Sequence, residues 1–105
     1  MTNASAFAFD ALGDPTRRAI FERLARGPRS VGDLAEGLPV SRPAVSQHLK
    51  VLKSARLIRV RAAGTRRFYE VDAAGLEAIR KYIDRFWDRA LDAFKQAAEQ
   101  QEKKT

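Results

Sequence analysis

Residues Ser30 to Ala55, SVGDLAEGLPVSRPAVSQHLKVLKSA, decide how the rest of the chain is organised. Ser30 suits a helix N-cap, and Asp33 sets a carboxylate near free backbone N–H groups at the positive end of the helix dipole. Val31, Leu34, Ala35 and Leu38 recur at helical spacing, so one face is apolar. Gly37 and Pro39 interrupt the pattern, and Ser41 caps a second helix whose first turn accepts Pro43. Val45, Leu49 and Leu52 give that helix one apolar stripe. Ser41, Arg42, Ser46, Gln47, Lys50 and Lys53 occupy its other side, which is rich in donors and holds no carboxylate. A short helix, a sharp corner and a polar, cationic helix is the layout of a helix-turn-helix DNA reader.

The charge distribution points the same way. The formal net charge is +7, yet residues 37–69 contain no Asp or Glu and eight Lys or Arg. The rest of the chain holds twelve basic and thirteen acidic residues, a net of −1. A merely solvated cationic surface would scatter its charge. Concentration around the second helix favours a nucleic-acid footprint over an anionic membrane or an acidic protein partner.

At 105 residues the chain is expected to form one domain, 1–105, with a modest core. A hydrophobic fraction of 45% beside 31% charged residues is the balance of a soluble globular protein. There is no apolar run long enough to span a bilayer and no leader-like N-terminus, so no membrane partner and a cytoplasmic location are expected. With no cysteine, this chain forms no disulfide, zinc ribbon or thiol sensor. One histidine, no Gly-rich phosphate loop and no carboxylate pair beside an apolar run argue against an enzyme.

N-terminal to the motif, residues 4–12 form a short Ala-rich helical stretch with Phe7, Phe9 and Leu12. Phe7 and Phe9 are two apart and cannot share a helix face, so one meets its own core and the other a second subunit, or both edge the core. Asp14-Pro15 starts another helix, with Ile20, Phe21 and Leu24 as its apolar face and Arg17, Arg18, Arg23 and Arg26 on its solvated side. C-terminal to the motif, Ile58 and Val60 alternate with Arg59 and Arg61, the period of a half-buried strand. Ala63-Gly64-Thr65-Arg66 turns the chain, and Arg67 to Val71 returns, making a hairpin wing over 57–71. Arg66 and Arg67 sit at its tip, where guanidinium groups reach phosphates or a narrow minor groove. Arg61 and Arg59 either join them or keep an edge strand soluble.

From Asp72 to about Gln100 the chain reads as one helix. Leu76, Ile79, Ile83, Phe86, Ala90, Ala93 and Ala97 step by three and four, with Tyr82, Trp87, Leu91 and Phe94 widening the stripe. Such a helix, roughly 35–40 Å long, outruns what a domain of this size covers. A homodimer built on this helix, about 73–100, and the N-terminal one, about 4–12, is therefore expected. Phe7, Ile79, Ile83, Phe86, Trp87, Ala90 and Phe94 are its candidate interface residues. Trp87 and Phe86 are also read against a ligand cage, with interface packing preferred. The expected class is α+β, mainly helical: a winged helix-turn-helix with a two-stranded hairpin.

Three stretches, Ala11–Ile20 (ALGDPTRRAI), Ser41–Lys53 (SRPAVSQHLKVLK) and Ala63–Tyr69 (AGTRRFY), resemble the ArsR-type winged helix-turn-helix transcriptional regulators, over roughly residues 5–95. The resemblance implies a dimeric repressor on a palindromic double-stranded DNA operator. It also implies that positions matching Ser41, Arg42, Ser46 and Gln47 enter the major groove while the hairpin touches flanking backbone. Metal-sensing members carry thiolate pairs where this chain has Ser30-Val31-Gly32, or His/Asp/Glu clusters on the last helix, which here lacks histidine. Asp84, Asp88 and Asp92 lie among Arg80, Lys81, Arg85 and Arg89, so i,i+4 pairing such as Asp84 with Arg80 is the preferred reading, with no metal and no cofactor. The chain resembles the cysteine-free branch of the family, and a small-molecule effector is left open and unidentified.

The candidate DNA-binding residues are Ser41, Arg42, Pro43, Ser46, Gln47, Lys50, Lys53, Arg61, Arg66 and Arg67. Gln47 and Arg42 carry the side chains suited to base edges, since amide and guanidinium forks grip adenine and guanine bidentately; the alternative for both is a phosphate contact. Ser41 and Ser46 suit phosphates, and Lys50, Lys53 and Arg56 neutralise backbone. His48, beside the apolar stripe, is read as core-edge rather than as a switch or DNA contact. The competing overall reading is a winged-helix module that binds RNA or an acidic protein.

Overall fold

A computed structural model describes residues 3–104 as five helices and one hairpin. The elements are α1 (Asn3–Leu12), α2 (Pro15–Leu24), α3 (Val31–Glu36), α4 (Arg42–Ser54), β1 (Ile58–Ala63), β2 (Arg66–Val71) and α5 (Ala73–Lys104). Their order is that of a winged helix-turn-helix, as the sequence predicts. Among the described residues no helix is long and apolar enough to cross a membrane.

Local chemistry sets each helix start. Asp14 accepts from Thr16 N at 2.8 Å and Arg17 N at 3.0 Å, with Pro15 preset for the first turn. Ser30 and Asp33 form a reciprocal capping box at the head of α3. Ser41 Oγ accepts from Ala44 N at 3.3 Å and starts α4. The far end of α4 closes with a left-handed residue, Arg56, at φ 59°. Its N–H donates to Lys53 O at 3.0 Å while Leu57 N donates to Leu52 O at 3.1 Å, the paired bonds of a Schellman end.

The core gathers one stripe from each element: Ala8 and Ala11 from α1, Ile20 and Leu24 from α2, and Leu34 from α3. Val45, Leu49 and Leu52 of α4 join them, with Leu57 and Ile58 at the hairpin's base. All three stripe residues expected on α4 are buried. In α1 the buried residues are two alanines rather than the phenylalanines. Phe9 turns instead to α5 and meets Tyr82 edge-on, centroids 5.2 Å apart, while Phe7 stays 59% exposed.

The hairpin is tighter than expected. Ala63 pairs with Arg66, leaving only Gly64-Thr65 as the loop, with Gly64 at φ 64°. Positive φ at the first loop position and not at the second is the sign pattern of a type II′ connection, which follows the twist of the strands. A third segment, unforeseen, joins the sheet: Arg29 N donates to Tyr69 O at 3.0 Å, and Tyr69 N to Arg29 O at 2.8 Å. This bridge ties the α2–α3 connection to the wing.

Helix α5 runs four residues beyond its expected end, 32 residues or about 48 Å. Only its first half meets the body, chiefly through α1, with Ile79 packed against the core. The remainder extends past the body, and the molecule measures 69 × 26 × 22 Å.

Candidate nucleic-acid interface

Burying Val45, Leu49 and Leu52 turns the opposite arc of α4 outward. Ser41, Arg42, Pro43, Ser46, Gln47, Lys50 and Lys53 are all exposed, and no acidic side chain lies between Glu36 and Glu70. The arc combines two lysines, one arginine, an amide and hydroxyls on a rod of major-groove width. The Arg42 guanidinium folds back across the head of α3. A methyl group on Gly32 would lie 3.2 Å from its Nη2, so the absence of a side chain there leaves room for it. His48 is half-buried. The Asp14 carboxyl is held below the ordinary carboxylate range, first by the backbone N–H of Arg17, against desolvation, with smaller help from Thr16 N–H and the charges of Arg17 and His48.

Two arginines expected on a solvated face have structural partners instead. Arg23 Nη2 donates to Gly37 O at 2.5 Å, closing the end of α3 at the corner before α4. Arg17 Nε donates to Ala11 O at 2.7 Å, joining α2 to the end of α1. Both fix the platform that carries α4. Carbonyls left over at helix ends require such donors, but sequence spacing does not show which side chain supplies them.

The hairpin register sorts the wing's cations by face. Residues directly opposite share a face, so Arg59, Arg61, Arg66, Phe68 and Glu70 lie together, and Arg67 lies on the other side with Val60 and Tyr69. On the first face Glu70 Oε1 accepts from Arg59 Nε at 2.9 Å, and Oε2 sits 3.6 Å from Arg61 Nε. Arg66 lies over the Phe68 ring, 5.3 Å from its centroid. Arg61, expected among the DNA-binding residues, is thus engaged by a carboxylate. The register that sets Glu70 opposite Arg59 and diagonal to Arg61 depends on the turn, which residue spacing alone does not fix. Arg66 and Arg67 are both exposed near the tip.

On α5, Arg80 Nε lies 3.8 Å from Asp84 Oδ2, the i,i+4 pairing read from sequence. Among the described residues no three His, Asp or Glu side chains come together in a group that could hold a metal ion. A groove of about 390 Å³ lies between α1, α2 and the last turn of α4, walled by Phe7, Ala11, Val51 and Ala55 with Asp10 and Arg17 on its polar side.

The comparisons with known proteins agree with this geometry. Residues 12–61 match a family model described as a helix-turn-helix domain. The chain is 65% identical over 89 residues to the HTH-type transcriptional regulator Rv2034 of Mycobacterium tuberculosis, covering 85% of this chain and 83% of that one. It is 38% identical over 69 residues to the transcriptional repressor SdpR of Bacillus subtilis, covering 66% and 77%. Among solved structures, an ArsR-like transcriptional regulator from Rhodococcus sp. RHA1 superposes with TM-score 0.77 at 37% identity, over 90% of this chain and 92% of that one. The homodimeric winged helix-turn-helix DNA-binding domain of Mb0332 from Mycobacterium bovis, a possible ArsR-family regulator, gives TM-score 0.67 at 27% identity, covering 82% and 80%. A reading helix braced on a helix-turn-helix, a hairpin wing and relatives of this kind lead to one assignment: the chain belongs to the ArsR family of winged helix-turn-helix transcriptional regulators.

Proposed function

We propose that this regulator works in the cytoplasm as a homodimeric repressor that lays the α4 helices of its two protomers in successive major grooves of a palindromic operator. In this reading residues 30–55 read the DNA, and the tip of the 57–71 hairpin rests on flanking backbone through Arg66 and Arg67. The dimer is held by α1 and α5. The observation that carries the reading is the outward arc of α4, exposed along its length and free of carboxylates. A two-fold dimer binds half-sites about 34 Å apart, so the twin helices must be held at that spacing. The homodimeric Mycobacterium bovis domain supports the assembly, and the Bacillus subtilis relative supports repression.

Gln47 and Arg42 are assigned to base edges, Ser41, Ser46, Lys50 and Lys53 to phosphates, and Pro43 to shaping the first turn of α4. Gln47→Ala is expected to cost about 1–3 kcal/mol on the preferred operator and little on random duplex. Fluorescence anisotropy on both DNAs measures the difference, and equal losses would assign Gln47 to a phosphate. The function itself is tested by a gel shift against DNA flanking the chain's own gene, where a band resistant to random competitor DNA is expected. If the dimer neutralises roughly 6–10 phosphates, affinity should fall about a thousandfold or more between about 50 and 200 mM salt. A flat salt response with no specific band would remove the proposal.

A further inference from the structure

The wing carries four arginines and one carboxylate, and that carboxylate reaches two of the four. Glu70 stands directly opposite Arg59 in the register and diagonal to Arg61, with one oxygen for each: Oε1 at 2.9 Å from Arg59 Nε and Oε2 at 3.6 Å from Arg61 Nε. Its own side chain is only 19% exposed, whereas the two arginines lie well in the open. The acid is therefore held by the sheet, and the cations are what could move. Arg66, nearer the tip, rests on Phe68 and has no ion-pair partner among the described residues, and Arg67 is on the far face.

An exposed ion pair contributes little to folding, so stability does not explain this arrangement well. Its consequence at a polyanion is larger. A phosphate gains little by approaching Arg59 or Arg61 while Glu70 stays between them. It would have to displace the carboxylate and leave a half-buried negative charge facing the DNA backbone. Non-specific DNA binding is almost wholly electrostatic and rises with each phosphate neutralised. Two of the wing's four cations are thus withheld from that sum.

We propose that Glu70 sets the wing's affinity for DNA backbone by withholding Arg59 and Arg61 from phosphates, leaving phosphate contact to Arg66 and Arg67. This rests on the reading of the hairpin as a DNA-contacting wing. Low non-specific affinity matters to a regulator because the genome offers a vast excess of competing sites.

Glu70→Gln keeps the size of the side chain and removes its charge. Binding to a fluorescein-labelled random-sequence duplex, followed by anisotropy across a salt series, reads the effect. The slope of log K against log salt is expected to steepen by about 0.9 for each phosphate gained. Affinity is expected to rise about fivefold per phosphate near 0.15 M salt, the release of one counterion at that slope. Arg61→Gln is expected to change little in the native background and to take back about 0.9 of slope in the E70Q background. An unchanged slope and affinity for E70Q overturn the proposal. So does an equal loss from Arg61→Gln in both backgrounds, since Arg61 would then meet phosphate with Glu70 in place.

The double variant Arg66→Gln, Arg67→Gln separates the two levels of failure. If it flattens the slope while E70Q is silent, the wing touches DNA and only the role of Glu70 falls. If neither variant matters, the wing reading falls with it. Unaltered melting of E70Q, read by circular dichroism, attributes the change to binding rather than to folding.

Discussion

Gly75→Ala is expected to destabilise the protein by about 2–3 kcal/mol and to lower its melting temperature by about 10–20 °C. A methyl group built at Gly75 would lie 2.2 Å from Arg56 O and 2.9 Å from both Arg56 C and Leu57 Cα. These are backbone atoms, so no rotamer change relieves the contact. Arg56 is held at its left-handed φ by the Schellman bonds of α4, and Leu57 is fully buried. Leu57 O also accepts from Asp72 N at 2.8 Å, which locks the chain entering α5 to the chain leaving α4. Helix propensity runs against the prediction, since alanine in place of a helical glycine gains up to about 1 kcal/mol. The two effects differ enough in size to fix the sign: the steric cost must first cancel that gain and then exceed it. Thermal melting by circular dichroism measures the outcome. An unchanged or raised midpoint would mean that α5 does not begin against the end of the reading helix. Because any relief of the clash moves either α5 or the last turn of α4, operator affinity should fall even below the melting range.

Gly75 also shows where sequence reading stops. A glycine one turn into a long helix looks like a minor propensity defect, and nothing in the sequence says that another segment's carbonyl lies against it. The same limit explains the other surprises. Caps and stripes are local: Ser30, Ser41, Asp14-Pro15 and the Val45–Leu49–Leu52 stripe depend on neighbours within one turn or a few residues. Residue type at the caps and periodicity along the stripe therefore locate them, and Gly64 marks the hairpin turn for the same local reason. The Arg29–Tyr69 bridge, the Arg23 bond to Gly37 and the engagement of Arg59 and Arg61 by Glu70 join residues 40, 14 and 9–11 apart in sequence. Such pairings depend on how elements dock. In α1 the phenylalanines are candidates for core or subunit interface, yet the residues that the fold buries are the smaller Ala8 and Ala11. Helix-to-helix distance decides that choice, and composition does not encode it.

The last helix poses the reverse case, a feature plain in the sequence that the core of the single protomer does not use. Ile83, Phe86, Trp87, Ala90, Leu91 and Phe94 fall on one side of α5, and all are exposed, Trp87 to 61% and Phe94 to 74%. Arg85, Asp88, Arg89 and Asp92 occupy the opposite side. A contiguous apolar stripe on a projecting helix is unfavourable in water, and the proposed dimer covers it. In a symmetric pair each substitution acts twice, so Trp87→Glu with Phe94→Glu replaces four apolar contacts by four carboxylates. At about 1.5–3 kcal/mol for each large side chain fully buried, the loss is about 6–12 kcal/mol. That is comparable with the net stability of many dimers once association costs of about 4–15 kcal/mol are met. The doubly substituted chain is expected to run as a monomer in light scattering while keeping its helical circular dichroism, because neither side chain belongs to the protomer core. Operator binding then loses its second half-site, a fall of about 10²–10⁴-fold set by the lost effective concentration. Binding to random duplex should weaken less, and its salt slope should fall to roughly half, since one protomer brings half the cations. A dimeric mass for the variant would assign the interface to another surface. A monomer with undiminished operator affinity would show that one reading helix is enough.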